Sequence, residues 1–242
     1  MDDVCPEGCG ASQGPSGTVT LSEFTMLLAN LTYYDISHVH GANLPTTFGP
    51  PGSAGTAQHF SYRNGLAGGD CSWHLEPPVA YKKFLVEVHN AHGNCSTDTD
   101  CGSHETCGAS FVETKPVYGT CGDPGGYLNA HTNCIAGSTG YPFFCETYHD
   151  LHACSGKYQE SGYSNTVTDI ENVCGCSDYD DDLGIPSSFP CINKNQLWVN
   201  EAYQWIEYIK RGCTNCYSFP YDDSTSTFTS DSHTFDLIFC PG

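Results

Sequence analysis

LSEFTMLLANLTYYDISHVHGANLP, residues 21–45, is the stretch whose reading decides the fold. It holds two β-type runs, residues 19–28 and 31–39, rich in Leu, Phe, Tyr, Thr and Val and separated by an Ala-Asn step. Runs of this composition around a short polar break read as neighbouring strands. Set into them are two carboxylates, Glu23 and Asp35. Because successive side chains of a strand point to opposite faces, Glu23 shares a face with Leu21 and Thr25, while Phe24, Met26 and Leu28 take the other. An acid in that position is either a rim residue of a sheet or a group placed for use. If adjacent strands bring both carboxylates to one cleft, the pair has the composition that general acid/base hydrolysis needs.

Composition sets the surroundings. A chain of 242 residues can bury a substantial core, as one large β domain or a domain with an added lobe. Eight Lys plus Arg stand against twenty-eight Asp plus Glu, a formal charge of −20. So acidic a surface repels nucleic acid and anionic membranes, whose recognition rests on clustered basic residues. Neutral polysaccharides remain as partners. Sixteen Cys lead us to expect eight disulfides, formed in an oxidising compartment, and hence a secreted protein. Two sequons, at Asn30 and Asn94, agree with a eukaryotic secretory route. Residues 1–5 lack the basic and apolar regions of a signal peptide, so a removed leader or an incomplete gene product is expected. No apolar run is long enough to span a membrane, and a soluble protein is expected.

Outward from the two strands, residues 1–17 read as loop, and residues 41–55, with Pro45, Pro50 and Pro51, as a loop in which a continuous central strand is implausible. Residues 81–89 alternate, Phe84, Val86 and Val88 against Leu85, Glu87 and His89, and predict a strand of a sandwich or barrel. From Cys95 to Cys176 nine cysteines fall in Gly-, Ser-, Thr- and Asn-rich sequence, which predicts a lobe stapled by disulfides in place of a large core. Which Cys pairs with which does not follow from spacing.

Residues 195–211 predict one amphipathic helix, with Trp198, Ala202, Trp205, Ile206 and Ile209 on one stripe. Lys210 and Arg211 suit the negative end of its dipole, and Gly212 suits its C-terminus. Residues 225–229 and 235–239 read as closing strands of the same sheet system. The expected division is therefore a β core of residues 1–94 and 214–242, interrupted by a lobe of residues 95–213.

Several of these motifs, in order and spacing, resemble the thaumatin-like (pathogenesis-related group 5) family. They are Ser22-Glu23-Phe24-Thr25, Tyr34-Asp35-Ile36-Ser37, Gly41-Ala42-Asn43-Leu44-Pro45, the run from Cys216-Tyr217-Ser218-Phe219-Pro220-Tyr221-Asp222-Asp223 to Thr229, and Phe239-Cys240-Pro241. The amphipathic helix running into Cys213-Thr214-Asn215-Cys216 looks more like the secreted fungal members than the plant ones. The resemblance covers residues 19–48 and 213–242 closely and the middle only in its Cys richness.

That resemblance implies a mainly β protein: a thaumatin-like β-sandwich with a disulfide-rich loop lobe, one amphipathic α-helix and an acidic cleft that binds, and in some members hydrolyses, β-1,3-glucan. The catalytic acids carry over as Glu23, Asp35 and Asp222. Tyr33, Tyr34, Tyr217, Phe219 and Tyr221 fall near the expected cleft, where rings suit apolar sugar faces, and substrate contacts are expected from His40, Tyr34, Tyr217, Phe219 and Tyr221. No cofactor and no metal is called for. The chain departs from the family pattern where His40 replaces an Asp, where Ser230 replaces a Cys, and in having no counterpart of the cleft arginine or of the first strands, among which Cys240 would find its partner. An imidazole at residue 40 lowers the pKa of neighbouring acids relative to a carboxylate there, which works against a protonated general acid. A non-catalytic wall-glucan binder or defence and interaction protein is therefore the alternative to a weak endo-β-1,3-glucanase. Missing strands also leave an edge that a partner chain or self-association could complete.

Other patterns carry less. His38 and His40, two apart, resemble half of a His-x-His metal site but lack a third ligand fixed by spacing. Asp178, Asp180, Asp181 and Asp182 lack the Glu of a calcium loop, and a solvated acidic turn is expected.

Overall fold

The computed structural model describes residues 18–27, 31–52, 65, 67–68, 77, 79–112, 115–129, 179–180, 185–186, 199–220, 222 and 226–239. They are mainly strands in several small sheets, cross-linked by disulfides. Strands β1 (Leu21–Leu27) and β2 (Leu31–Ser37) pair antiparallel, as their composition predicts, and β9 (Phe228–Ser230) adds to the far side of β2. The alternation sorts their faces. Tyr34 and Ile36 of β2 and Phe228 of β9 are fully buried on one side.

Against that side pack Phe48, Phe235, Ala67, Cys213 and Cys216. Tyr34 is the centre of the cluster, its ring centroid 5.5 Å from Phe228, 5.8 Å from Phe48 and 5.1 Å from Phe235. Aromatic pairs at such distances add about 0.5–1.5 kcal/mol each beyond the area they bury. This cluster is what fixes β2 in place.

Phe48 belongs to β3 (Thr46–Gly49), a strand inside the segment expected to be loop. The prolines explain both the expectation and its failure. Pro45 and Pro50 flank a four-residue strand, where they bound the ladder without removing a donor from it. β3 pairs with β10 (Asp236–Phe239), and Phe48 exchanges two 2.9 Å backbone hydrogen bonds with Ala67 on its other side. Thus β10 does not close the β1–β2–β9 sheet, as expected, but forms a second ladder whose Phe48 meets the first across the aromatic cluster.

A third sheet joins β4 (Val86–His92), β5 (Thr106–Val112) and β6 (Lys115–Tyr127), each strand paired with the other two. The strand expected over residues 81–89 is helical in its first half: a 3-10 turn, Val79–Tyr81, leads into α1 (Lys82–Leu85). Phe84 and Leu85 are both buried in that turn. The expected boundary at residue 94 also falls inside this sheet, since β4 precedes it and its described partners follow it. Cys95–Cys107 and Cys101–Cys121 staple the sheet. Gly108 allows the close approach of β5 to β4, because a Cβ there would lie 2.4 Å from the Val86 carbonyl oxygen.

The predicted helix is present over its described part. A π-type turn (Val199–Tyr203) leads into α2 (Gln204–Gly212), with Ala202, Ile206 and Ile209 buried as the stripe requires. Residues 195–198 lie outside the described residues, as do most of the expected lobe, residues 1–17 and Cys240. A two-residue ladder of β7 (Tyr179–Asp180) and β8 (Ile185–Pro186) falls within the run of aspartates.

Buried polar contacts tie the parts together. Asn129 Nδ2 donates to the carbonyls of His38, at 2.8 Å, and Ser218, at 2.6 Å. Glu87, buried in β4, accepts from Thr18 N and Thr18 Oγ1 at 2.6 Å each, just before β1. The Tyr208 hydroxyl of α2 donates to the Leu128 carbonyl.

Candidate functional site

The β1–β2 register places Glu23 directly opposite Asp35. Cross-strand neighbours of this kind have Cβ atoms about 4.5–5.5 Å apart and share one face. Leu21 opposite Ser37 and Thr25 opposite Tyr33 flank them on that face, and Thr229 of β9 lies beyond Tyr33. This is the face turned away from the aromatic cluster. Glu23 is exposed, Asp35 half-buried and Tyr33 exposed. Like charges set opposite one another destabilise a sheet, so the pairing does not arise from strand stability.

Tyr217 extends the face. It forms a parallel bridge with Ser37, its N–H donating to the Ile36 carbonyl at 2.9 Å and its carbonyl accepting from His38 N at 2.8 Å. Its half-buried ring is held by a 2.5 Å hydroxyl contact with Thr227 Oγ1. Together Glu23, Asp35, Tyr33, Tyr217 and Thr229 make a polar strip with two carboxylates and two phenol rings, with Ser37 buried at its end.

Three of the residues expected at the site are elsewhere. Tyr34 is fully buried and its hydroxyl donates to the Gly65 carbonyl at 2.6 Å, while burial raises its pKa well above the usual phenol value. It is core because it is one residue out of phase with Asp35. Tyr33, in phase with Asp35, is the exposed ring of the two, and period-2 alternation is the signal that separates it from Tyr34. Phe219 is likewise buried.

Asp222 is the third correction. It is 1 % exposed, and its Oδ2 accepts from Lys210 Nζ at 2.6 Å, Ser218 Oγ at 2.8 Å and Ser218 N at 3.0 Å. Lys210, buried as well, also donates to Ser226 Oγ and to the Cys216 carbonyl, each at 3.0 Å. Burial pushes the Lys210 pKa below its usual value, a push that the charge and hydrogen bond of Asp222 oppose. Asp222 is an internal counter-ion that holds the end of α2 to the Cys213–Ser218 turn, and it offers no carboxylate to a substrate. Lys210 leaves the helix dipole for the same reason, while Arg211 pairs at the surface with Glu207 at 2.7 Å.

His38 and His40 do not sit on a strand, since β2 ends at Ser37 and the chain turns there. His38 is sealed in the interior, where burial, and then the nearby Lys210 charge, lower its pKa to about 3. His40 is half-buried, and burial lowers its pKa below the ordinary imidazole value, which favours the neutral ring near neutral pH. Among the described residues the group of potential metal ligands that comes together is Cys95, Cys101 and Cys121, all of them in disulfides. Asn94 is exposed, directly after Gly93 at a φ of 59°. Tyr221 and Asn30 lie outside the described residues.

No helix among the described residues is long and apolar enough to cross a membrane. No protein-family model matches the chain, and no similar protein is found among curated ones.

Proposed function

We propose that this chain is a secreted protein of the thaumatin-like kind, a β-sandwich in that family's sense, which binds β-1,3-glucan through the strip of Glu23, Asp35, Tyr33 and Tyr217. The observation that carries the reading is the direct opposition of Glu23 and Asp35 on a polar sheet face. Sugar hydroxyls donate well to carboxylates, and charge-assisted hydrogen bonds are stronger than neutral ones. The Tyr33 ring offers an apolar plane with a polar tip, which suits a pyranose. Three disulfides among the described residues support an oxidising compartment. The charge of −20 favours a neutral polymer over an anionic one.

Hydrolysis is the second reading, and the same register favours it. Opposition across neighbouring strands puts both acids on one face, and a carboxyl separation of about 5–5.5 Å would make such a pair retaining, a wider gap inverting. Glu23 would protonate the glycosidic oxygen and Asp35 would attack or assist. Against efficient turnover stand the burial of Asp222 and the exposure of Glu23 to water, because a general acid works best in an apolar setting. Binding is therefore the primary activity in this account. Reducing-sugar release from laminarin by the wild type and by Glu23→Gln decides between the readings. Release that disappears in the variant means a hydrolase, while no release from either, with glucan still bound, means a binding protein.

A further inference from the structure

The inner face of the first two ladders opens at one rim. Phe24 and Met26 of β1 lie on the same face as buried Tyr34 and Thr32, their cross-strand partners, yet they are 58 % and 74 % exposed. On β10, Leu237 stands opposite Phe48 and is 43 % exposed, and Phe239 on the same face is 57 % exposed. The Phe24 ring reaches Phe48 at 6.2 Å, so the apolar surface runs from β1 to the second ladder without a break. β1 is also an edge: β2 covers one side, and no other described residue pairs with it. An edge of this length with large apolar side chains is a template for a further strand.

We propose that the occupant of this edge is a second copy of the chain, with β1 pairing antiparallel to β1 of its partner about a two-fold axis. The sequence of the strand carries the argument. For inner faces to remain continuous, residues of the same parity must face each other. A register centred on Phe24 sets Phe24 against its own copy, Ser22 against Met26 and Glu23 against Thr25, so no carboxylate opposes a carboxylate. One residue away in either direction, the axis passes through Glu23 or Thr25. The Glu23 register sets two acids face to face, which cross-strand pairing disfavours, and the Thr25 register sets Glu23 opposite the apolar Leu27 and leaves Leu21 and Ser22 unpaired within the strand. The strand is thus self-complementary in the way a two-fold interface requires. Seven residues make β1 a better edge than β10, which has four.

Pairing extends β9–β2–β1 into a six-stranded sheet and withdraws Phe24 and Met26 from water. It also places two Glu23–Asp35 pairs on one continuous face, which would make a glucan-binding strip bivalent. The dimer itself does not depend on the glucan reading. Each copy carries a formal charge of −20, so association strengthens as salt rises, the reverse of an ion-paired interface.

Sedimentation of the full chain over a wide concentration range, at low and high salt, with a non-reducing gel to exclude interchain disulfides, tests the proposal. The wild type is expected to reach twice the monomer mass, sooner at high salt. Met26→Lys is expected to weaken association by at least about tenfold, which is about 1.4 kcal/mol. Because Met26 is exposed, the thermal midpoint of this variant should match the wild type at a concentration where both are monomeric. Leu237→Lys, on β10, should leave the dimer in place. A wild type that stays monomeric throughout overturns the proposal. A dimer that survives Met26→Lys, or one lost only in Leu237→Lys, overturns it too.

Discussion

Lys210 Nζ lies 2.6 Å from Asp222 Oδ2, with both side chains sealed from solvent. The pair joins the last turn of α2 to the loop that carries Tyr217 beside β2. Taking either charge away leaves the other buried without its counter-ion, at a cost of about 3–5 kcal/mol. Asp222→Asn is therefore expected to lower the unfolding free energy by that amount in denaturant titration. The double change Lys210→Met with Asp222→Leu should cost less than the sum of the single changes, and strict additivity would contradict the assignment.

His38 makes acid the weak side of this fold. Its pKa is lowered in the folded chain to about 3 from an ordinary 6.5, so between those values the unfolded chain binds more protons. Stability then rises with pH across this window and is lost as pH falls from about 6.5 toward 3. The expected loss is on the order of a few kcal/mol. His38→Gln should flatten the dependence of the thermal midpoint on pH between 6.5 and 4. An unchanged slope in that variant would assign the acid sensitivity to carboxylates instead.

The β4–β5–β6 sheet rests on its two disulfides. Cys101→Ala with Cys121→Ala, which opens a crosslink of sequence separation 20, is expected to cost about 2–4 kcal/mol. Hydrogen exchange should show β5 and β6 opening while β1, β2 and β9 keep their protection, because the aromatic cluster around Tyr34 does not include these strands.

How far the sequence alone reaches can be seen in three places. Glu23 and Asp35 were legible because period-2 alternation is a local property, and the register needed only a short break between the runs. The same rule, applied to Tyr33 and Tyr34, selects Tyr33 for the surface, although an aromatic run with the right family motif suggested Tyr34. Asp222 was not legible in this way. Its role depends on Lys210, 12 residues earlier on a helix, and on Ser218 in the intervening turn, a meeting that only tertiary packing creates. β3 was hidden for another reason. Its prolines are breakers in a long strand but are tolerated at the ends of a four-residue one.

Tyr34→Phe separates the core from the face. Removing the hydroxyl that donates to Gly65 is expected to cost about 0.5–1.5 kcal/mol of stability and to leave carbohydrate binding unchanged. A loss of binding without a loss of stability would place Tyr34 at the site after all.

The central claim, that the Glu23–Asp35–Tyr33 strip takes up glucan, is tested most directly by co-sedimentation with insoluble β-1,3-glucan of the wild type, Tyr33→Ala and Glu23→Gln, each first shown to keep its thermal midpoint. The account predicts that the wild type binds and that each variant binds at least about tenfold more weakly, a loss of about 1.4 kcal/mol. A wild type that stays in solution, or variants that sediment with the glucan as it does, would contradict it.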